Sequence, residues 1–151
     1  MLQGNLSSTY EALGRKELAL SLKRDVYSGY AKLHGVDDEN TLVAANNYAS
    51  TLVGLERFEE AKTLLRRTIP VARRTLGEVH DVTLAIRSIY ANALYSDTGA
   101  TLDDLREAVT TLEDTERIAR RVLGGSHPDA MWMKDDLRVA RAALRARDIS
   151  M

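Results

Sequence analysis

His34, His80 and His127, runs of adjacent carboxylates and pairs of adjacent arginines are the residues of this chain equipped to do chemistry. Three imidazoles invite a metal ion, whose bonds to nitrogen are ~2 Å long. Each lies at least 40 positions from the next. If successive rings sit on stacked helical hairpins, they are held about 10 Å apart, the packing distance of helices. His80 and His127, each just before an acidic or Pro-Asp step, read as capping or loop-packing residues; His34 is not at their equivalent position. Asp37-Asp38, Glu59-Glu60, Asp103-Asp104 and Asp135-Asp136 are adjacent carboxylates. Neighbours on a helix diverge by about 100°, so they do not converge as an acid/base pair. Arg66-Arg67, Arg73-Arg74 and Arg120-Arg121 could face phosphate, but Glu59, Glu60, Glu113 and Glu116 balance them as the wet face of long helices. Trp132, the only tryptophan, either packs on the helices before it or anchors a partner.

No catalytic residue follows from these. The chain has no Gly-rich phosphate loop, no Gly-x-Ser-x-Gly and no His-Glu-x-x-His. It has no cysteine, which removes thiolate and zinc-thiolate chemistry and suits a reducing, cytoplasmic setting. We expect no cofactor, no metal and no enzyme. The net charge is −1, with 21 basic and 22 acidic residues, which argues against nucleic acid. No apolar run approaches the ~20 residues of a membrane span, and residues 1–10 lack the pattern of a secretory signal.

Repetition organises everything else. Thr41–Ala49 recurs as Thr83–Ala91, a step of 42 residues, and Leu76-Gly77-Glu78-Val79-His80-Asp81 returns as Leu123-Gly124-Gly125-Ser126-His127-Pro128-Asp129. A period of this size marks stacked helical hairpins that cannot bury their apolar faces alone. Apolar residues at helical spacing support seven helices: Leu2–Leu13 with Lys16–Leu33, Glu39–Gly54 with Phe58–Leu76, Asp81–Asp97 with Leu102–Leu123, and Pro128–Arg147. Leu42, Ala45, Tyr48, Ala49 and Leu52 make one such stripe, and Ile86, Tyr90, Ala93 and Leu94 another. Gly35, Gly77 and Gly124 follow the long helices as stop signals. Pro70 predicts a bend near Leu65–Ile69 rather than a break. The spacing from Ala61 to Ala108 exceeds the period, so the extra residues fall in the loop Ser96–Thr101, a candidate partner-specific feature.

These residues resemble the tetratricopeptide repeat family in its kinesin-light-chain-like form. The matches are Asn5-Leu6 with Gly14–Ala19, Asn47-Tyr48-Ala49 with Glu56–Ala61, Leu105–Ala108, and the Leu-Gly-x-x-His loops at Leu76–Asp81 and Leu123–Pro128. Glu56 replaces the turn glycine found at Gly14, and no heptad segment is present to pair with a motor heavy chain. The resemblance implies an all-α, right-handed α-solenoid of about three hairpins (residues 1–38, 39–80 and 81–127) closed by a capping helix at 128–147. It implies a non-catalytic module whose concave face takes a peptide or helix of a protein partner.

On that resemblance the groove positions are Asn5, Ser8 and Glu11 in the first repeat. They are Val43, Asn46, Asn47, Ser50 and Val53 in the second, and Ala85, Ser88, Ile89, Asn92 and Tyr95 in the third. The Asn at positions 5 and 47 implies a ladder that holds a peptide backbone, since an amide both donates and accepts. The other reading is that both bond a neighbouring helix; Ile89 leaves the ladder incomplete. Small and apolar positions outnumber charges, and Arg87 points toward its hairpin partner, so an apolar or mixed peptide or a helix is expected over an acidic tail. The alternative role is a structural subunit. Leu2, Leu6 and Tyr10 would then cover themselves on preceding repeats or another subunit, with the convex face as a second contact.

Overall fold

In the computed structural model the backbone is described for residues 2–150 and the side chains for residues 12–150. Six helices follow in order: α1 (Leu2–His34), α2 (Glu39–Gly54), α3 (Phe58–Thr75), α4 (Asp81–Ser96), α5 (Leu102–Leu123) and α6 (Pro128–Ser150). The described residues contain no strand. The molecule is an all-α repeat fold. α2 with α3 and α4 with α5 are antiparallel hairpins. α4 packs on α3 behind it and α5 ahead of it, and α6 packs on α5. α2 touches α4 and α4 touches α6, so the first helices of successive repeats form one continuous row.

Small residues set that spacing. Ala45, Ala49, Ala61, Ala91, Ala93 and Ala108 are wholly buried and let helix axes approach closely. Leu42, Leu52, Leu65, Ile86, Leu94 and Leu112 fill the space between them, in a core that runs from Leu20 to Ala140. The repeated segments Thr41–Ala49 and Thr83–Ala91 thus occupy matching places in α2 and α4.

Helix ends follow the sequence signals. Asp38 caps α2 by accepting from the Asn40 amide (2.9 Å). His80 Nδ1 caps α4 by accepting from Val82 (3.1 Å), and His127 Nδ1 accepts from Asp129 (3.1 Å). Both histidines serve helix N-termini, as their loop positions suggest. Gly77 and Gly124 each take φ +95°, a conformation costly for any residue with a Cβ. α3 runs on through Pro70.

One expected break is absent. α1 is a single helix where two, joined at Gly14, are expected. The equivalent turn in the second repeat does form, and Phe58 beside it packs partly buried on the core. Lys16 stands at the position equivalent to Phe58 and offers no apolar side chain to hold the chain back on itself. Around it Ala12, Leu13, Arg15, Lys16 and Glu17 are strong helix formers, and one glycine costs a helix only ~1 kcal/mol. Helix propensity therefore wins at Gly14.

The inserted loop between α4 and α5 is tied down. Asp97 Oδ1 accepts from the Gly99 amide (2.9 Å), and Asp97 Oδ2 meets Lys62 Nζ of α3 at 3.4 Å. Lys62 is only 4% exposed and also pairs with Glu59 (2.7 Å). Ala100 is buried beneath the loop.

Candidate functional site

A groove of about 370 Å³ opens along the row of first helices. α2 contributes Ser50 and Val53; α4 contributes Ala85, Ser88, Ile89 and Asn92; α6 contributes Asp129, Trp132, Met133 and Asp136. The α4 and α6 residues share one spacing (i, i+3, i+4, i+7), which puts each set on a single helical face. Val53, Ala85, Ile89 and Met133 make the apolar floor. The α6 wall carries two carboxylates, and no lining residue is basic.

Six of the expected groove residues, Ser50, Val53, Ala85, Ser88, Ile89 and Asn92, line this space. Val43, Asn46 and Asn47 lie further back along α2, Val43 and Asn47 exposed and Asn46 half-buried. Asn46 Oδ1 is buried without a hydrogen-bond partner. Asn47 bonds no neighbouring helix among the described residues; its backbone carbonyl accepts from Thr51 Oγ1 (3.1 Å). Asn5, Ser8 and Glu11 lie outside the described side chains.

Tyr95 does not line this groove. Its hydroxyl donates to Asp136 Oδ1 (3.0 Å) and accepts from Asn92 Nδ2 (3.0 Å). Ser96 Oγ in turn donates to Asn92 Oδ1 (2.9 Å). Burial pushes the Asp136 carboxyl above its ordinary range against the opposing bond from Tyr95, and Asp135 adds to the rise. Burial and the adjacent Asp136 carboxylate raise the Tyr95 hydroxyl as well. The network locks α4 to α6 at the edge of the groove. Tyr95 is therefore part of the scaffold.

Two polar features of the groove stand out. Ser88 is 9% exposed, and its Oγ has no hydrogen-bond partner. Trp132 is 75% exposed on the α6 wall, which rules out its packing on the third repeat. Sequence reasoning treated α6 as a closing helix and so missed Asp129, Met133 and Asp136. The available signal was their spacing, which matches that of Ala85, Ser88, Ile89 and Asn92.

Four of the arginines are spent on structure. Arg87 reaches Asp114 of α5 at 2.8 Å, on the hairpin-partner side and away from the groove. Arg66 Nε donates to Tyr90 Oη (3.3 Å), which donates to Glu107 (3.2 Å). Arg73 pairs with Glu78 (2.6 Å) and Arg120 with Glu116 (3.6 Å). Among the described residues no three His, Asp or Glu side chains are placed to share a metal ion. Among the described residues no helix is long and apolar enough to cross a membrane.

Comparison with known proteins agrees with this fold. The tetratricopeptide repeat family model matches residues 1–74. No curated protein matches the chain by sequence. Among solved structures, the kinesin light chain nearly identical TPR-like repeats of Podosopora anserina superpose with a TM-score of 0.76 at 24% identity. A point variant of the same repeats gives 0.77, also at 24%. In both cases 93% of this chain is covered and 64% of the matched chain, so the present chain spans less than two thirds of their length. The family match over residues 1–74 and the superposed structures agree on a tetratricopeptide-like helical repeat fold.

Proposed function

We propose that the chain is a non-catalytic protein-interaction module that binds a peptide segment or helix of a partner protein in the groove between α2, α4 and α6. The observation that carries this reading is the groove itself. It is a concave space of about 370 Å³ with an apolar floor, a buried serine hydroxyl lacking a partner, and an exposed tryptophan at its wall. Such a surface has the composition of a binding site: apolar area for affinity and a few polar groups for orientation. Asn46 and Asn47 continue the polar stripe beyond the groove and suit an extended backbone. A cytoplasmic setting suits a chain without cysteine.

Trp132 supplies the test, because it is the only tryptophan. Peptides selected from a random display library are titrated against the protein while tryptophan emission is followed. Groove binding moves Trp132 out of water and shifts its emission to the blue. A variant filled with neutral bulk, Ser50→Tyr with Ala85→Leu, keeps the parent's melting curve and loses the shift. Peptides that bind both forms equally and leave the emission unchanged would remove the groove as the site.

A second reading has its own support. Leu18, Leu22, Val26 and Leu33 are all exposed along α1, Leu33 to 80%. Their spacing makes an apolar stripe able to pack on further repeats or another subunit. Under this reading Leu22→Asp with Val26→Asp abolishes assembly in light scattering, and the filled groove variant does not.

A further inference from the structure

The α6 wall of the groove alternates acid, aromatic and acid. Asp129, Trp132 and Asp136 succeed one another at single-turn intervals on one face, with Met133 beside them. No lysine, arginine or histidine lines the space to neutralise them. His127 Nδ1 stands 4.0 Å from Asp129 Oδ2 and is occupied in accepting from the Asp129 amide. Resting on the groove reading above, we propose that the occupant is a peptide segment that delivers a lysine or arginine side chain to this wall.

The chemistry follows from the lining. A long basic side chain lays its methylene stem on Ile89 and Met133 and carries its cationic head to the carboxylates. The exposed face of Trp132 adds attraction for the same charge. Asp136 is already half-buried and hydrogen-bonded to Tyr95. Covering it with an apolar or acidic segment would strip its remaining water and leave the charge uncompensated, whereas a cation compensates it. A second observation points to a ligand independently of the acids. Ser88, nine-tenths buried on the α4 side, lines the groove while its Oγ lacks a partner within the fold, and rotation of the hydroxyl toward the groove would let a bound peptide group supply one.

The test pans a random peptide display library on the full chain, with the filled variant Ser50→Tyr/Ala85→Leu as counter-selection. Peptides kept by the parent and rejected by the filled variant are groove ligands. The expected result is that they carry lysine or arginine, and that changing that residue to glutamine weakens binding roughly tenfold. Asp129→Asn weakens them roughly fivefold, Trp132→Ala by a similar factor, and added salt weakens them further. Asp129 and Trp132 are exposed, so both variants are expected to melt with the parent. Groove ligands without a basic residue, or with affinities indifferent to Asp129→Asn and to the glutamine exchange, overturn this inference and leave the groove reading standing. If no peptide discriminates parent from filled variant, the groove reading falls, and the inference with it.

Discussion

Tyr95 on α4 donates a hydrogen bond of 3.0 Å to Asp136 on α6, a residue 41 positions further along the chain. The bond joins the first helix of one repeat to the first helix of the next, and Asn92 donates to the same hydroxyl. Tyr95→Phe keeps the ring and deletes the donor. It leaves a half-buried carboxylate short of a partner, so it should lower the unfolding free energy by about 1–2 kcal/mol. Urea denaturation measures this. An unchanged midpoint would mean that the bond does not hold α4 to α6 in solution.

Asp136 also predicts a pH dependence. Burial raises its folded-state carboxyl above the ordinary 3.8. Between that value and the raised one, the folded chain binds a proton that the unfolded chain does not. The stability contributed by Asp136 is therefore present at low pH and lost as pH rises through this window. Asp136→Asn cannot titrate, so its stability relative to the parent should improve as pH is raised from about 4 to 7. Denaturation curves collected across that range test the sign, and a difference that stays constant with pH contradicts it.

Asp97 behaves in the opposite way. The Gly99 amide, and after it Lys62, hold its carboxyl below the ordinary 3.8 against the opposing effect of burial. Its contribution is present above the unfolded value and disappears as pH falls through the folded one. Asp97→Ala should cost about 1–3 kcal/mol at pH 7, because it frees a loop amide and removes one partner of a buried lysine. The cost should shrink in acid. Lys62→Met, which removes the buried charge itself, should be close to neutral. A loss from Lys62→Met as large as that from Asp97→Ala would show that the ion pair, rather than the loop amide, holds this segment.

The features legible in the sequence are those decided within one repeat. His80 and His127 cap helices through amides two residues away. Arg87 faces α5 because its place on α4 turns it there. Ala45, Ala49 and Ala91 sit where the recurrence placed them, at helix contacts. The misreadings concern relations between repeats. Tyr95 resembled a groove residue because its partner lies on another element, and spacing along α4 carries no trace of Asp136. Asp129 and Asp136 were passed over because α6 looked like a terminus, although in the fold it stands where a further first helix would. The turn at Gly14 was inferred from a shared motif, while the turn in the second repeat is held by the packing of Phe58. Local motifs propose a turn, and burial decides whether it forms.

That last point has a direct test at two equivalent positions. Glu56 adopts φ +60°, the one described residue other than glycine with a positive φ. A side chain in the left-handed region costs about 1–2 kcal/mol, and the flexibility glycine adds to the unfolded chain takes back about 0.5–1 kcal/mol. Glu56→Gly should therefore stabilise the protein by about 0.5–1 kcal/mol, while Glu56→Ala, which keeps the strain, should change little. Gly14 is the reverse case. It lies inside α1 with ordinary helical geometry, and a Cβ added there meets nothing within 4 Å. Gly14→Ala should raise helix stability by about 1 kcal/mol. Thermal melts of the three variants decide the matter together. If Gly14→Ala destabilises the chain as a glycine-requiring turn would, α1 folds back at Gly14 in solution, and the first repeat closes as its motif suggests.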